Sequence, residues 1–333
     1  VPALESVEPD FSALETERCI GLAVSGGADS LALMILAQRW ADAQPDGPRL
    51  VVYSVDHGLR AEAAGEVRAV CEMAARLGLS ARALRWDEPK PSSGIQAAAR
   101  RARYRLIGAA MKADGVTWLA TGHHLEDQAE TVLMRLAHGS GLEGLRGMDA
   151  LTVVEDVQVV RPLLGVPRER LRAVVDAAGF TPFEDPSNAD TRFERVRWRE
   201  AMPALSALGL DPGTLARFSR RAGEADLALR HCAEEAFKAH VAREEAGLSI
   251  ARDSYAALPR AIAVRLLGAM LAELGDPHKV RLLAPVERLA TKLQDEGDFP
   301  AVTLHGCRIA IRKGRIHVAR EAGRLRPERV QSR

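Results

Sequence analysis

The sequence predicts an α/β fold, a doubly wound and mostly parallel sheet over residues 1–210, joined to a smaller, mainly helical, basic C-terminal domain over residues 211–333. Three observations predict it. Short, uncharged, partly β-branched runs alternate with segments whose apolar residues recur at helical spacing. Several of these runs end in Gly, Ser, Asp or His, and ligands of open α/β sheets lie beyond the carboxyl ends of the strands. Past residue 210 the alternation stops, and Lys/Arg outnumber Asp/Glu by 22 to 16.

The first strand is Cys19-Ile20-Gly21-Leu22-Ala23-Val24, and the helix behind it shows Leu31, Leu33, Met34, Leu36 and Ala37 at helical spacing. Between them lies Ser25-Gly26-Gly27-Ala28-Asp29-Ser30. Two adjacent glycines let the chain turn with its N–H groups inward, and the helix adds its positive end, which together make an anion cradle. No Gly-Lys-Ser/Thr ending follows, so the lysine clamp of kinases and GTPases is not encoded. The plain alternative is a Gly-rich helix start with Asp29 favouring the dipole.

Leu50 to Val55 is a second buried-type strand, ending in Asp56-His57-Gly58. A helix from Glu62 to Leu77, a strand from Arg82 to Trp86, a helix from Gly94 to Lys112 and a strand from Val116 to Ala120 follow. Strands separated by helices at this pace form a parallel sheet. Ser93 and Gln96 are spaced as a capping box for the long helix. Gly122-His123-His124 follows the fourth strand and leads into a helix spanning Ala129 to Leu136, so three strand ends converge on one crevice. Helices from Arg217 to Ala246 and Arg260 to Leu274 come next, after an expected hinge at Asp211-Pro212-Gly213. Residues 301–319 alternate around Lys313-Gly314, a short β-hairpin.

Composition narrows the function classes. No apolar run is long enough to span a bilayer, and the first seventeen residues carry Glu5, Glu8, Asp10, Glu15 and Glu17, unlike the positive start of a signal peptide. A cytoplasmic location is expected. Cys19, Cys71, Cys232 and Cys307 are far apart with no Cys-x-x-Cys pair, which argues against zinc and iron–sulfur sites. Net charge is only +1, but the last 33 residues hold 9 basic against 2 acidic side chains, including Arg312, Lys313, Arg315, Arg320, Arg324 and Arg326. That end suits a polyanion, and a solvated charged face is its alternative.

Further candidates cluster on helices. Arg100 shares a face with Arg103 and Tyr104, and side-by-side guanidiniums are easiest to explain with a phosphate between them. Asp127 and Glu130 lie three apart on one face, aligned with His123 if the helix begins there, and suit a cation. Arg192, Arg195, Arg197 and Arg199, with Phe193 and Trp198, mix cations with aromatic faces as single-stranded RNA binding requires, or else form a charged helix face with Trp198 in the core.

Seven motifs now stand in order: Ser25 to Ser30, Val55-Asp56-His57-Gly58-Leu59-Arg60, Ala99 to Tyr104, Gly122 to Thr131, Gly139 to Leu145, Arg161-Pro162-Leu163-Leu164 and Asp185-Pro186-Ser187-Asn188. Together they make residues 19–210 resemble the tRNA(Ile)-lysidine synthetase family of N-type ATP pyrophosphatases, the PP-loop enzymes. The resemblance implies a carbon–nitrogen ligase. ATP adenylates C2 of the wobble cytidine in the CAU anticodon of tRNA(Ile), and L-lysine then displaces AMP, moving codon recognition from AUG to AUA. It also implies that Ser25, Gly26, Gly27, Ala28 and Ser30 hold pyrophosphate and that Asp29 holds Mg²⁺, since carboxylate and polyphosphate repel without a cation between them. Arg100 and Arg103 would stabilise charge on the α-phosphate, and Asp127 and Glu130 would grip lysine and take its proton. Asp56, His57, His123, Arg195 and Arg199 would contact substrate. Where members often read Arg-Asn-x-x-Arg, this chain has Val196 after Arg195. A PP-loop tRNA thiolase and a non-catalytic nucleotide-binding protein are the alternatives; homodimerisation is left open.

Overall fold

The structure, a computed structural model, describes residues 8–60, 62–184, 190–275, 283–295 and 299–321. Asp185-Pro186-Ser187-Asn188, Arg324 and Arg326 lie outside the described residues. The first half runs β1 (Cys19–Ala23), α1 (Ala28–Asp42), β2 (Arg49–Asp56), α2 (Ala63–Arg76), β3 (Ser80–Arg85), α3 (Ile95–Asp114), β4 (Trp118–Thr121) and α4 (Leu125–Ala137). Then come α5 (Leu142–Leu145), β5 (Leu151–Val154), β6 (Val157–Val160), α6 (Arg168–Ala177) and α7 (Glu194–Ala207). These strands form one sheet in the order β3-β2-β1-β4-β6-β5, parallel except for the antiparallel edge strand β5.

Alternation along β2 shows how the sheet is buried on both faces. Leu50 and Val52 join Leu31, Leu33, Val70, Leu171 and Val174 in a core beneath α1, α2 and α6. Val51 and Tyr53 point the other way, into a core with Tyr104, Ile107 and Met111 of α3. Chain order reverses direction at β1, with β2 on one side and β4 on the other. The crevice at such a switch point is where open α/β sheets bind ligands.

The second half comprises α8 (Pro212–His240), β7 (Val241–Glu244), β8 (Gly247–Ala251), α9 (Arg252–Ala256), α10 (Arg260–Leu274), α11 (Leu283–Gln294), β9 (Val302–Leu304), β10 (Cys307–Arg312) and β11 (Arg315–Arg320). Contacts divide the chain into two units, Val1–His138 with Arg146–Arg220, and Gly139–Leu145 with Arg221–Arg333. Within the second unit, an antiparallel sheet of order β7-β8-β11-β10-β9 shares a core with α10 and α11 through Ile250, Leu267, Leu271, Leu293, Ile309 and Val318.

Four local expectations need correction. Residues 241–246 leave the helix and open a β-hairpin, because Val241 pairs with Ile250 of β8 and the sheet outbids the helical pattern. Asp211-Pro212-Gly213 is a helix start: the Asp211 carboxylate accepts from the Thr214 N–H (2.8 Å) and hydroxyl (2.7 Å), and Pro212 is the first residue of α8. The Ser93–Gln96 capping box does not form, since Gly94 at φ 64° is the N-cap and no side chain caps α3. The helix after the fourth strand starts at Leu125 and not at Ala129, which leaves His123 ahead of it.

Gly122 is where β4 meets the start of α1. A Cβ there would stand 2.8 Å from the Asp29 carbonyl oxygen and 3.0 Å from its carbon, both backbone atoms that cannot swing away. Gly122→Ala is expected to cost about 1–3 kcal/mol of stability, read as a lower urea midpoint, and to impair ligand binding at the β1 turn by shifting Asp29.

Candidate active site

The turn after β1 is held open from several sides. Gly26 has φ 89°, and a Cβ on it would lie 2.5 Å from the Phe183 ring, so only glycine fits. The Phe183 N–H donates to the Gly26 carbonyl (2.9 Å), bracing the turn from outside. Ser30 Oγ accepts from the N–H groups of Ser25 and Gly26 (3.2 Å each) and donates to the Gly27 carbonyl (2.9 Å). With Gly27 as N-cap and no capping side chain, the first amides of α1 lack helical partners. Amides gathered at a helix start are what phosphates bind.

Asp29 lies in the first turn of α1, its Oδ1 buried without a hydrogen-bond partner and 3.8 Å from Arg168 Nε. Its Oδ2 is 3.5 Å from His124 Nε2. Burial pushes the Asp29 carboxyl up, but the hydrogen bond and charge of His124, with Arg168 and Arg199, outweigh it and hold the group below the usual carboxylate range. His124, only 2% exposed, is the N-cap of α4; its Nδ1 meets Glu126 Oε2 at 2.9 Å, while Asp127 Oδ2 accepts from its backbone N–H at 3.1 Å. Burial alone would push this imidazole down, yet the bonds to Asp29 and Glu126 and the charge of Asp127 raise it to about 10. His124 is therefore an imidazolium at neutral pH.

Asp127 and Glu130 meet different fates. Asp127 borders the crevice near His124, whereas Glu130, 1% exposed, sits between Arg199 (2.9 Å) and Arg195 (3.3 Å) of α7. Burial raises the Glu130 carboxyl, with Arg199 opposing. Arg195 also donates to Thr131 Oγ1 (3.1 Å). These two arginines thus tie α7 to α4, alongside the packing of Trp198 against Ala129, Val132 and Leu133. Arg192 pairs with Asp190 (2.6 Å), Arg197 bonds the Thr191 and Arg192 carbonyls, and Val196 is buried.

A second, cationic cluster gathers near Tyr104. Arg100 lies over the Tyr104 ring (5.1 Å), and the same phenol is close enough to influence Arg103 and Arg161. His57 stands edge-on to Trp86 (6.4 Å), and burial and Arg103 push it down to about 4, with Lys90 adding to the effect. His123, whose Nδ1 meets Thr121 Oγ1 at 2.9 Å, is likewise pushed down to about 4 by burial, with Arg161, Arg100 and Arg195 adding to it. Both imidazoles are neutral at pH 7. Asp56 is buried and accepts from the Gly58 N–H (2.7 Å), shaping the end of β2. His124 and Arg161 stand within sequence motifs, but the sequence gives neither a role of its own. The first was legible as the residue just ahead of a helix, the second as the residue closing Val157-Gln158-Val159-Val160, a β-branched run that went unassigned.

The family of PP-loop domains matches residues 4–205. A tRNA(Ile)-lysidine synthase from Rhodopseudomonas palustris is 47% identical over 285 residues, covering 85% of this chain and 82% of the relative. Another, from Bradyrhizobium diazoefficiens, is 40% identical over 337 residues, covering 95% and 93%. The chain belongs to the tRNA(Ile)-lysidine synthase family. A U34-tRNA thiolase from Methanococcus maripaludis superposes with a TM-score of 0.54 at 16% identity, covering 64% of this chain and 75% of that one, which shows the shared PP-loop fold. Like the sequence, the fold of this lysidine synthase family member ends its central strands at one crevice.

The two depressed imidazoles set a pH dependence. The unfolded chain protonates His57 and His123 near 6.5, the folded chain only near 4, so their contribution to stability is complete above 6.5 and is lost as pH falls toward 4. The His57→Gln/His123→Gln double variant is expected to lose less stability than the parent between pH 7.5 and pH 4.5, measured by urea midpoints.

Proposed function

We propose that the chain is an ATP-dependent carbon–nitrogen ligase that makes lysidine at the wobble cytidine of a tRNA(Ile) with a CAU anticodon. One observation carries the reading: a turn of free helix-start amides and a carboxylate with a buried, unpartnered oxygen follow the central strand β1 in a chain 47% identical to a lysidine synthase. ATP supplies the adenylyl group that turns the C2 oxygen into a leaving group, with pyrophosphate released as the C2 oxygen–phosphorus bond forms. The lysine ε-amine then bonds to C2, the C2–oxygen bond breaks, and AMP leaves.

The residues divide these tasks. Ser25, Gly26, Gly27, Ala28 and Ser30 receive the pyrophosphate portion through amides and hydroxyls. Asp29 fits Mg²⁺, because its free Oδ1 points into a buried site. Among the described residues no three His, Cys, Asp or Glu side chains are grouped to hold a metal, so the remaining ligands are phosphate oxygens and water, as Mg²⁺ commonly requires. Arg100 and Arg103 oppose charge growing on the α-phosphate. Deprotonating a lysine ammonium at pH 7 costs about 4.6 kcal/mol, and Asp127, a half-buried carboxylate beside His124, holds the ammonium and accepts its proton in this reading. Glu130 supports lysine from within its pair of arginines, and Arg195 and Arg199, once there, lie beside Asp127. Asp56 and the neutral imidazoles of His57 and His123 form walls against which nucleotide and base pack.

Arg312, Lys313 and Arg320 are exposed on the hairpin of β10 and β11 and serve as a tRNA handle, whereas Arg315 is turned onto Ser249 Oγ (3.0 Å). No helix among the described residues is long and apolar enough to cross a membrane. We place the enzyme in the cytoplasm with its tRNA, and a homodimer is one arrangement open to it.

The deciding experiment supplies ATP, Mg²⁺, L-lysine and CAU-anticodon tRNA and follows AMP release and lysine incorporation. Incorporation dependent on the anticodon is expected, and its absence overturns the reading. Asp29→Ala is expected to lower turnover at least about 100-fold with an unchanged melting temperature. Arg312→Gln/Lys313→Gln is expected to weaken tRNA binding and lower its salt slope by about two, leaving ATP binding intact; filter binding across a salt series checks it.

A further inference from the structure

Arg161 is the first residue beyond β6, the strand that flanks β4 on the side away from β1, and it adds a fourth strand end to the crevice. It is 7% exposed. Its neighbours supply one hydrogen bond, from Nη1 to the neutral Asp149 carbonyl (2.5 Å), and its Nε is buried with no partner. The carboxylate of Asp149 is already paired with Arg146 (2.8 Å). Several half-buried arginines of the chain are matched to carboxylates: Arg195 and Arg199 to Glu130, Arg230 and Arg265 to Asp226. Arg161 has no such ion pair among the described residues, and a buried cation without a counterion is costly.

The surroundings compound that cost. Burial holds the guanidinium below its ordinary value, with Arg100 and Arg135 adding to the effect and Tyr104 and Asp149 only partly opposing it, and the neutral His123 offers no negative charge. Nor does packing explain the residue, because Leu163, two positions on, supplies the buried apolar side chain of this segment. Its backbone is pinned instead: the Arg161 N–H donates to the Ala150 carbonyl (2.8 Å), and the Pro162 carbonyl accepts from Asp10 (2.8 Å). A rigidly mounted, buried, unpaired fork suits a planar or tetrahedral oxyanion.

We propose that Arg161 is a phosphate-binding residue of the crevice, whose missing counterion is a phosphate oxyanion carried in by a nucleotide substrate. The proposal rests on the reading that ATP and tRNA meet here. Two sources share the chemistry, the α-phosphate of ATP and the backbone phosphate of the nucleotide being modified. Arg103, whose Nε is also buried without a partner, lies near Tyr104 as Arg161 does, so one anion can engage both guanidiniums.

The test compares the full-length chain with Arg161→Met and Arg161→Lys. Removing an unpaired buried charge while keeping the volume leaves the Arg161→Met melting temperature at or above the parent, although turnover falls at least about tenfold. Arg161→Lys recovers part of the turnover, since it restores charge without the fork. If ATP supplies the oxyanion, Arg161→Met reduces the melting shift produced by AMP and raises the KM for ATP, with tRNA affinity unchanged. If the RNA backbone supplies it, tRNA affinity and its salt slope fall, the latter by about one, and the AMP shift is kept. A variant that melts lower than the parent and loses activity in proportion overturns the proposal in favour of a structural role. So does a variant with unchanged AMP shift, tRNA affinity and turnover. A parent protein that incorporates no lysine defeats the functional reading instead, a separate outcome.

Discussion

Backbone amides at the start of α1 have to face a ligand with no side chain of their own in front of them, and much of the crevice is shaped by that constraint. Gly26 satisfies it by adopting φ 89° against Phe183, and Ser30 holds the turn by accepting two amides at once. Gly122 satisfies it from the next strand, approaching the Asp29 backbone more closely than any Cβ allows. A sheet whose chain order reverses at β1 brings these pieces to one edge.

Charge is sorted around that turn. His124 is an imidazolium among Asp29, Glu126 and Asp127, with Arg168 also beside Asp29. Arg100, Arg103 and Arg161 crowd Tyr104, and the adjacent imidazoles of His57 and His123 stay neutral. Adjacent histidines therefore hold opposite protonation states at one pH. Carboxylate partners decide the difference, because burial pushes both rings the same way.

The departures from expectation have one physical origin. Helical periodicity over residues 241–246 competes with pairing to β8, and pairing wins once a core of Ile250, Ile309 and Val318 is available to cover. Arginines in the segment 192–199 read as an RNA-facing stripe, yet Arg195 and Arg199 turn inward to a buried Glu130 that sequence spacing had grouped with Asp127. Residues three apart on a helix share a face, but neighbours from α7 decide which of them stays open. Val196 is a buried residue of α7 itself.

Local chemistry was legible in the residues alone. The turn at Ser25 to Ser30, the alternation of strands and helices, Asp56-His57 and Gly122-His123-His124 all follow from rules that act within a few residues of chain, such as glycine's freedom at positive φ and apolar periodicity. Only the tertiary structure decided which charges are paired. Partners such as Glu130 and Arg199, or Asp29 and His124, are separated by 69 and 95 positions and meet through packing alone. For the same reason the motif at Arg161 says nothing of the side chain's partners, and only the fold shows it buried without an ion pair among the described residues.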